Sequence, residues 1–190
     1  MSAPLRALAR WIMACACALP LAALGAEPRV ALDTSAGRIV IELYPARAPL
    51  TVANFLDYVR AGHYDGTVFH RVDKGFVAQA GGYTLELAEK PTRAPIPLEA
   101  RSGLTNQRGT VAMARQAAPD SARAQFYFNL ADNPHLDHPQ PDGHGYAVFG
   151  RVVEGLPVLE TIERQPVGAS GPYTHLPEQP ILIQSARVLD

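Results

Sequence analysis

The sequence predicts a mainly β protein: a closed eight-stranded antiparallel β-barrel with two helices covering its ends. Three observations predict it. Short runs rich in β-branched residues recur along the chain, roughly eight of them. Only two stretches carry the apolar period of a helix. Seventeen prolines and fifteen glycines are spread through the chain as turn formers, which favours short strands over long helices. Closing the sheet on itself would also leave no strand edge exposed.

The elements follow in order. Arg29 to Thr34 and Arg38 to Tyr44 are strands joined as a hairpin through Ser35-Ala36-Gly37. Thr51 to Ala61 changes period: Val52, Phe55, Leu56 and Val59 share one face of a helix that Thr51 or a neighbour caps and Gly62 ends. Thr67 to Val72 and Phe76 to Gly81 are strands joined tightly around Lys74-Gly75. Tyr83 to Pro97, with three prolines, is a long surface excursion. Thr110 to Ala114, Gln125 to Leu130 and Tyr146 to Val153 are further strands. Leu156 to Arg164 is the second helix, with Pro157 early enough to be tolerated. Ile181 to Leu189 closes the chain as a strand.

At 190 residues, 47% hydrophobic and 18% charged, the chain suits one globular domain. A net charge of −1 gives no reason to expect nucleic acid or an anionic membrane as partner. The first 26 residues differ from the rest. Arg6 and Arg10 precede an uncharged run from Trp11 to Leu24 that ends in Gly25-Ala26. A positive start, an apolar run and a small-residue end make a secretory signal peptide, cut after Ala26. The run is shorter than the roughly 20 apolar residues of a spanning helix, the competing reading. Cys15 sits in a stretch that loosely resembles a lipoprotein box, but the apolar run before it is short. Cleavage removes both cysteines and leaves 15 basic against 18 acidic side chains, a net of −3. The domain proper is then 27–190, with no thiol chemistry, exported to the periplasm.

One segment carries the chemistry: Phe69-His70-Arg71-Val72-Asp73-Lys74-Gly75-Phe76-Val77-Ala78-Gln79-Ala80-Gly81-Gly82. It resembles the cyclophilin signature, in which Phe-His-Arg precedes a Gly-Phe turn and Gln-x-Gly-Gly. Arg108 to Arg115 resembles that family's Gly-x-x-x-Met-Ala strand, and Ser121 to Asn129 its Ser-Gln-Phe-Phe-Ile segment. His135-Leu136-Asp137 with Tyr146 to Val152 resembles its Leu-Asp…Val-Phe-Gly-x-Val block. The four blocks stand in family order at family spacing across nearly all of 27–190.

The resemblance implies a cyclophilin-like barrel with peptidyl-prolyl cis–trans isomerase activity, acting on proline-containing segments of unfolded or folding polypeptides. An X–Pro bond exchanges over a barrier of about 18–20 kcal/mol, because its nitrogen is conjugated with the carbonyl. No bond breaks and no proton need move. The task is to hold the ring and stabilise a twisted amide whose nitrogen has regained its lone pair, which calls for an apolar pocket beside one permanently charged donor. No metal or cofactor is required.

Arg71 matches the family's main catalytic residue and suits that task, since a guanidinium stays protonated and presents donors in a rigid fork. With the hairpin centred on Gly75, Gln79 lies directly opposite, where its amide can orient the guanidinium and bond the substrate backbone. Phe76, Val77, Tyr127 and Leu136 match the proline pocket. Ala114 and Arg115 match a backbone segment that pairs with extended substrate. Tyr146 stands where many eukaryotic members have histidine. His135 stands where a tryptophan helps bind the drug cyclosporin. Val77 replaces a usual methionine, and Tyr127 a usual phenylalanine, so its hydroxyl needs a partner. His70 is expected to point to the other face of its strand.

Other readings meet specific obstacles. A binding module without catalysis would be betrayed by loss of the arginine, and Arg71 is present. A small-ligand barrel needs a roomy apolar interior, whereas these motifs place chemistry on the outer face. Zinc held by His135, His138 and His144 would lack the carboxylate–histidine signature of a catalytic metal site. The expected protein is a monomer without stable membrane association after cleavage.

Overall fold

The computed structural model describes residues 27–189. The signal-peptide reading and both cysteines lie outside them. Strands β1 (Arg29–Thr34) and β2 (Gly37–Leu43) form the expected hairpin, followed by helix α1 (Pro49–Arg60). Strands β3 (Thr67–Val68), β4 (Arg71–Asp73) and β5 (Val77–Ala80) come next, then β6 (Thr110–Met113) and β7 (Phe126–Asn129). The chain ends with β8 (Val148–Glu154), α2 (Leu156–Glu163), β9 (Val167–Ser170), β10 (Tyr173–Pro177) and β11 (Leu182–Leu189).

Nine strands make one antiparallel sheet in the order β3-β11-β1-β2-β8-β6-β7-β5-β4. Its two end strands, β3 and β4, are consecutive in the chain, so the sheet curls strongly to bring its ends together. No ladder joins them among the described residues, and the closed eight-stranded ring expected from the sequence is not what the pairing records. The single strand expected over Thr67 to Val72 is split for the same reason. The Phe69 N–H donates to Ile181 on one flank, and the His70 N–H donates to Gln79 on the other. The segment changes partner midway.

The sequence reading had no β9–β10 hairpin. These strands pair only with each other, and β10 packs on β4. Their mostly exposed or half-buried residues show no apolar alternation, which is the signal a strand search needs.

The inside of the curl is filled. Phe55, on the apolar face of α1, meets the rings of Tyr64, Phe126 and Phe149 at centroid distances of 5.2, 5.4 and 5.0 Å. Val52, Leu56 and Val59 are buried beside it, as their spacing requires. A small-ligand barrel would be hollow here. No side chain of α1 caps its own first turn; the Glu99 carboxylate accepts from the Leu50 and Thr51 N–H groups and the Thr51 hydroxyl. Gly62, at φ +65°, follows the last turn as expected. Helix α2 buries Leu159 and Ile162 and packs against β2, β4 and β5.

Candidate functional site

A second apolar cluster forms on the outer face of the sheet, separate from the core: Val77, Ala112, Tyr127, Leu136 and Val148, with Phe76, Leu104, Ala114 and Tyr146 against it. Strand alternation makes it. On β5, Val77 and Gln79 face one way while Ala78 and Ala80 face the core. On β7, Tyr127 faces out between Phe126 and Phe128, which face in.

The β4–β5 hairpin positions the polar edge. Gly75 sits at φ +72°, a conformation that suits glycine, and the Phe76 N–H closes the turn on the Asp73 carbonyl at 3.0 Å. Arg71 then pairs with Gln79 across the ladder, as centring on Gly75 requires. A pocket of about 120 Å³ opens where these surfaces meet. Arg71 and Gln79 form one side of it and Phe76, Val77, Tyr127 and Leu136 the apolar wall, with Ala114, Arg115 and Tyr146 completing the lining. Nine of the ten residues singled out from the sequence therefore share one concavity. His135 is the exception. It occupies the Pro134–Leu136 3-10 turn, exposed, stacked on Phe76 with centroids 5.4 Å apart and planes 24° apart.

Two side chains play parts that differ from expectation. The Gln79 amide does not reach the guanidinium; its Nε2 donates to Gln125 Oε1 at 2.8 Å. Gln125 fits there because residue 82 is glycine: a Cβ on Gly82 would lie 2.6 Å from the Gln125 side chain. Arg71 instead donates from Nη2 to Asp73 Oδ2 at 3.0 Å, with its guanidinium carbon 5.4 Å from the Phe76 ring centroid.

Arg115 was expected to offer its backbone, and it does lie just past the end of β6. Its side chain has a separate task. The side chain is 1% exposed, and its Nη2 donates to both carboxylate oxygens of Asp142 at 2.8 and 2.7 Å. Its Nε donates to the Gly145 carbonyl, and it covers the Tyr146 ring at 4.5 Å. The Arg115 hydrogen bonds hold the Asp142 carboxyl below its ordinary pKa. This clamp seats the loop that delivers Tyr146 to the pocket.

The Tyr127 hydroxyl finds its partner behind the wall, donating to Asn106 Oδ1 at 2.8 Å. Burial first, then neighbouring groups, raise its pKa well above the ordinary tyrosine value. Asn129 Nδ2 also donates to Asn106 Oδ1, and Asn133 bridges Asn129 and the Phe76 carbonyl. Asp137 receives both the backbone and side-chain N–H of Asn106. Asn106, Gln125, Asp73 and Asp142 were not singled out as site residues from the sequence. Asp73 and Gln125 lie inside the family blocks; Asn106 and Asp142 lie outside them and carried no local signal.

His70 points away from the pocket, as expected. It is buried against the Tyr83 ring at 4.7 Å. Burial, with a smaller contribution from Arg71, lowers its pKa to about 4.

With this geometry in view, comparison with known proteins decides the family. The model described as cyclophilin type peptidyl-prolyl cis-trans isomerase/CLD matches residues 29–188. The chain belongs to the cyclophilin family. Among cyclophilin relatives it is 54% identical to peptidyl-prolyl cis-trans isomerase cyp18 of Streptomyces antibioticus over 162 residues, which covers 84% of this chain and 98% of that one. It is 47% identical to peptidyl-prolyl cis-trans isomerase A of Dickeya dadantii over 170 residues, covering 90% and 89%. A crystal structure of a Cryptosporidium parvum cyclophilin type isomerase, in the presence of the dipeptide Ala-Pro, shares the fold with TM-score 0.71 at 25% identity, covering 85% of this chain and 99% of that one. This cyclophilin's enzyme class is peptidyl-prolyl cis–trans isomerase.

Proposed function

We propose that this cyclophilin accelerates cis–trans exchange of X–Pro bonds in exported proteins and so assists their folding in the periplasm, as a monomer without cofactor or metal. The observation that carries the reading is one permanently charged donor, Arg71, set beside a pocket of about 120 Å³ with an apolar wall built by Phe76, Val77, Tyr127 and Leu136. The proline ring packs in that pocket. As the amide twists, conjugation is lost and the nitrogen becomes a hydrogen-bond acceptor that the planar ground state lacks. A guanidinium N–H aimed at it stabilises the twisted state alone, which lowers the barrier and not merely the binding energy. Gln79 and the backbone at Ala114 and Arg115 hold the substrate main chain on either side in an extended form. The export part of the reading rests on Arg6, Arg10 and the apolar run that follows them.

The test is a protease-coupled isomerisation assay on the purified protein and its Arg71→Ala variant. Loss of a donor that acts only on the twisted amide lowers kcat by on the order of 10²–10³ with much less change in KM. A folded variant that keeps more than about half the rate would defeat the charged-donor reading. Cell fractionation, with cleavage read by mass spectrometry, tests export.

A further inference from the structure

The guanidinium that faces the proline pocket is held, but not by the residue opposite it. Across the ladder Gln79 is occupied with Gln125. On its own strand Arg71 has a same-face neighbour two residues on, because strand side chains alternate with period two. That neighbour is Asp73, and the contact is one charge-assisted bond from Nη2 to Oδ2 at 3.0 Å. The Phe76 ring gives the guanidinium a second support, at 5.4 Å from its carbon. Among the described residues its other N–H groups have no hydrogen-bond partner, so they remain for substrate. The far oxygen of Asp73, Oδ1, lies 4.0 Å from His175 Nε2 on β10, outside hydrogen-bond range.

The pair does little for the fold. Its side chains are 40% and 29% exposed, and ion pairs this open contribute little to stability. What it does supply is orientation. An arginine left to itself samples many rotamers, whereas one fixed before substrate arrives need not be ordered in the transition state.

We infer that Asp73 is the positioning residue for the Arg71 guanidinium, taking the part that strand pairing alone would assign to Gln79. This rests on Arg71 being the charged donor. Asp73 binds one corner of the fork, sets its plane against Phe76 and leaves the remaining donors turned to the pocket.

The experiment is a double-mutant cycle with Arg71→Ala, Asp73→Ala and the double variant, measured as the catalysed rate above spontaneous exchange. Asp73→Ala is expected to lower kcat about tenfold with KM and Tm nearly unchanged, within the range for coupled neighbours. In the Arg71→Ala background the same change should cost nothing further. Asp73→Asn, which keeps an acceptor oxygen, should recover part of the loss. The 15N relaxation of the Arg71 Nε–H should report a rigid group in the parent protein and a mobile one in Asp73→Ala. An unchanged or raised kcat in Asp73→Ala, or an equal loss in both backgrounds, overturns the inference while leaving Arg71 as donor. Retained activity in Arg71→Ala alone overturns the donor reading, and the inference falls with it.

Discussion

Arg71 and Gln79 stand directly opposite each other on β4 and β5, yet their side chains part company. The guanidinium turns along its own strand to Asp73, and the amide crosses to Gln125 on the far side of β5. Two adjacent polar arms thus border one pocket, each with its own anchor.

The amide arm should behave as a unit. Gln79→Ala and Gln125→Ala are each expected to lower kcat/KM by several-fold, and the double variant to be little worse than either single one. Residues sharing a hydrogen bond couple by about 0.5–3 kcal/mol. Strict additivity of the two losses would show that the 2.8 Å contact carries no catalytic weight.

His70 makes stability depend on pH. Its folded pKa is about 4, below the ordinary value of 6.5, because burial disfavours the charged ring. Below pH 6.5 the unfolded chain therefore takes up a proton that the folded protein refuses. Its contribution is fully present above pH 6.5 and is lost as pH falls toward 4, by on the order of 3 kcal/mol. His63, also lowered chiefly by burial, acts with the same sign. Urea unfolding at pH 7.5 and 4.5 should show a smaller drop for His70→Gln than for the parent. An identical drop in the two proteins would mean that His70 titrates normally when folded.

Tyr127→Phe separates wall from anchor. The ring that faces the pocket stays, while the bond to Asn106 is lost; Asn106 Oδ1 keeps its Asn129 donor. The expected cost is about 1 kcal/mol of stability with an isomerase rate within about twofold of the parent. A tenfold fall in kcat, read in the coupled assay, would place the hydroxyl in contact with substrate.

His135 bears on inhibition more than turnover. It lies outside the pocket lining, stacked on Phe76, where cyclosporin-binding members carry an indole. With a smaller, more strongly hydrated imidazole in place of that large apolar face, this protein should bind cyclosporin weakly. Loss of such an anchor costs about 2 kcal/mol or more, roughly thirtyfold. His135→Trp should tighten the drug with the isomerase rate nearly unchanged. Tight titration of the unmodified protein by cyclosporin would refute this comparison.

The sequence by itself determined most of the strands, the two helices and the pairing of Arg71 with Gln79, and its resemblance to the cyclophilin blocks supplied the residues of the pocket wall. The helices and the pairing have a local cause: the apolar period along α1 and the turn centred on Gly75. Tertiary structure decided the rest. Gln79 meets Gln125 across 46 residues, and Arg115 meets Asp142 across 27, so neither pairing leaves a trace in local periodicity. The sheet's end strands, and the division of Thr67 to Val72 between two neighbours, follow from how far the whole sheet curls. The β9–β10 hairpin is held by its own ladder and by packing on β4, not by an apolar face of its own. Backbone conformation is set by neighbours a few residues away, whereas the partner of a long polar side chain is set by which strands the fold brings alongside it.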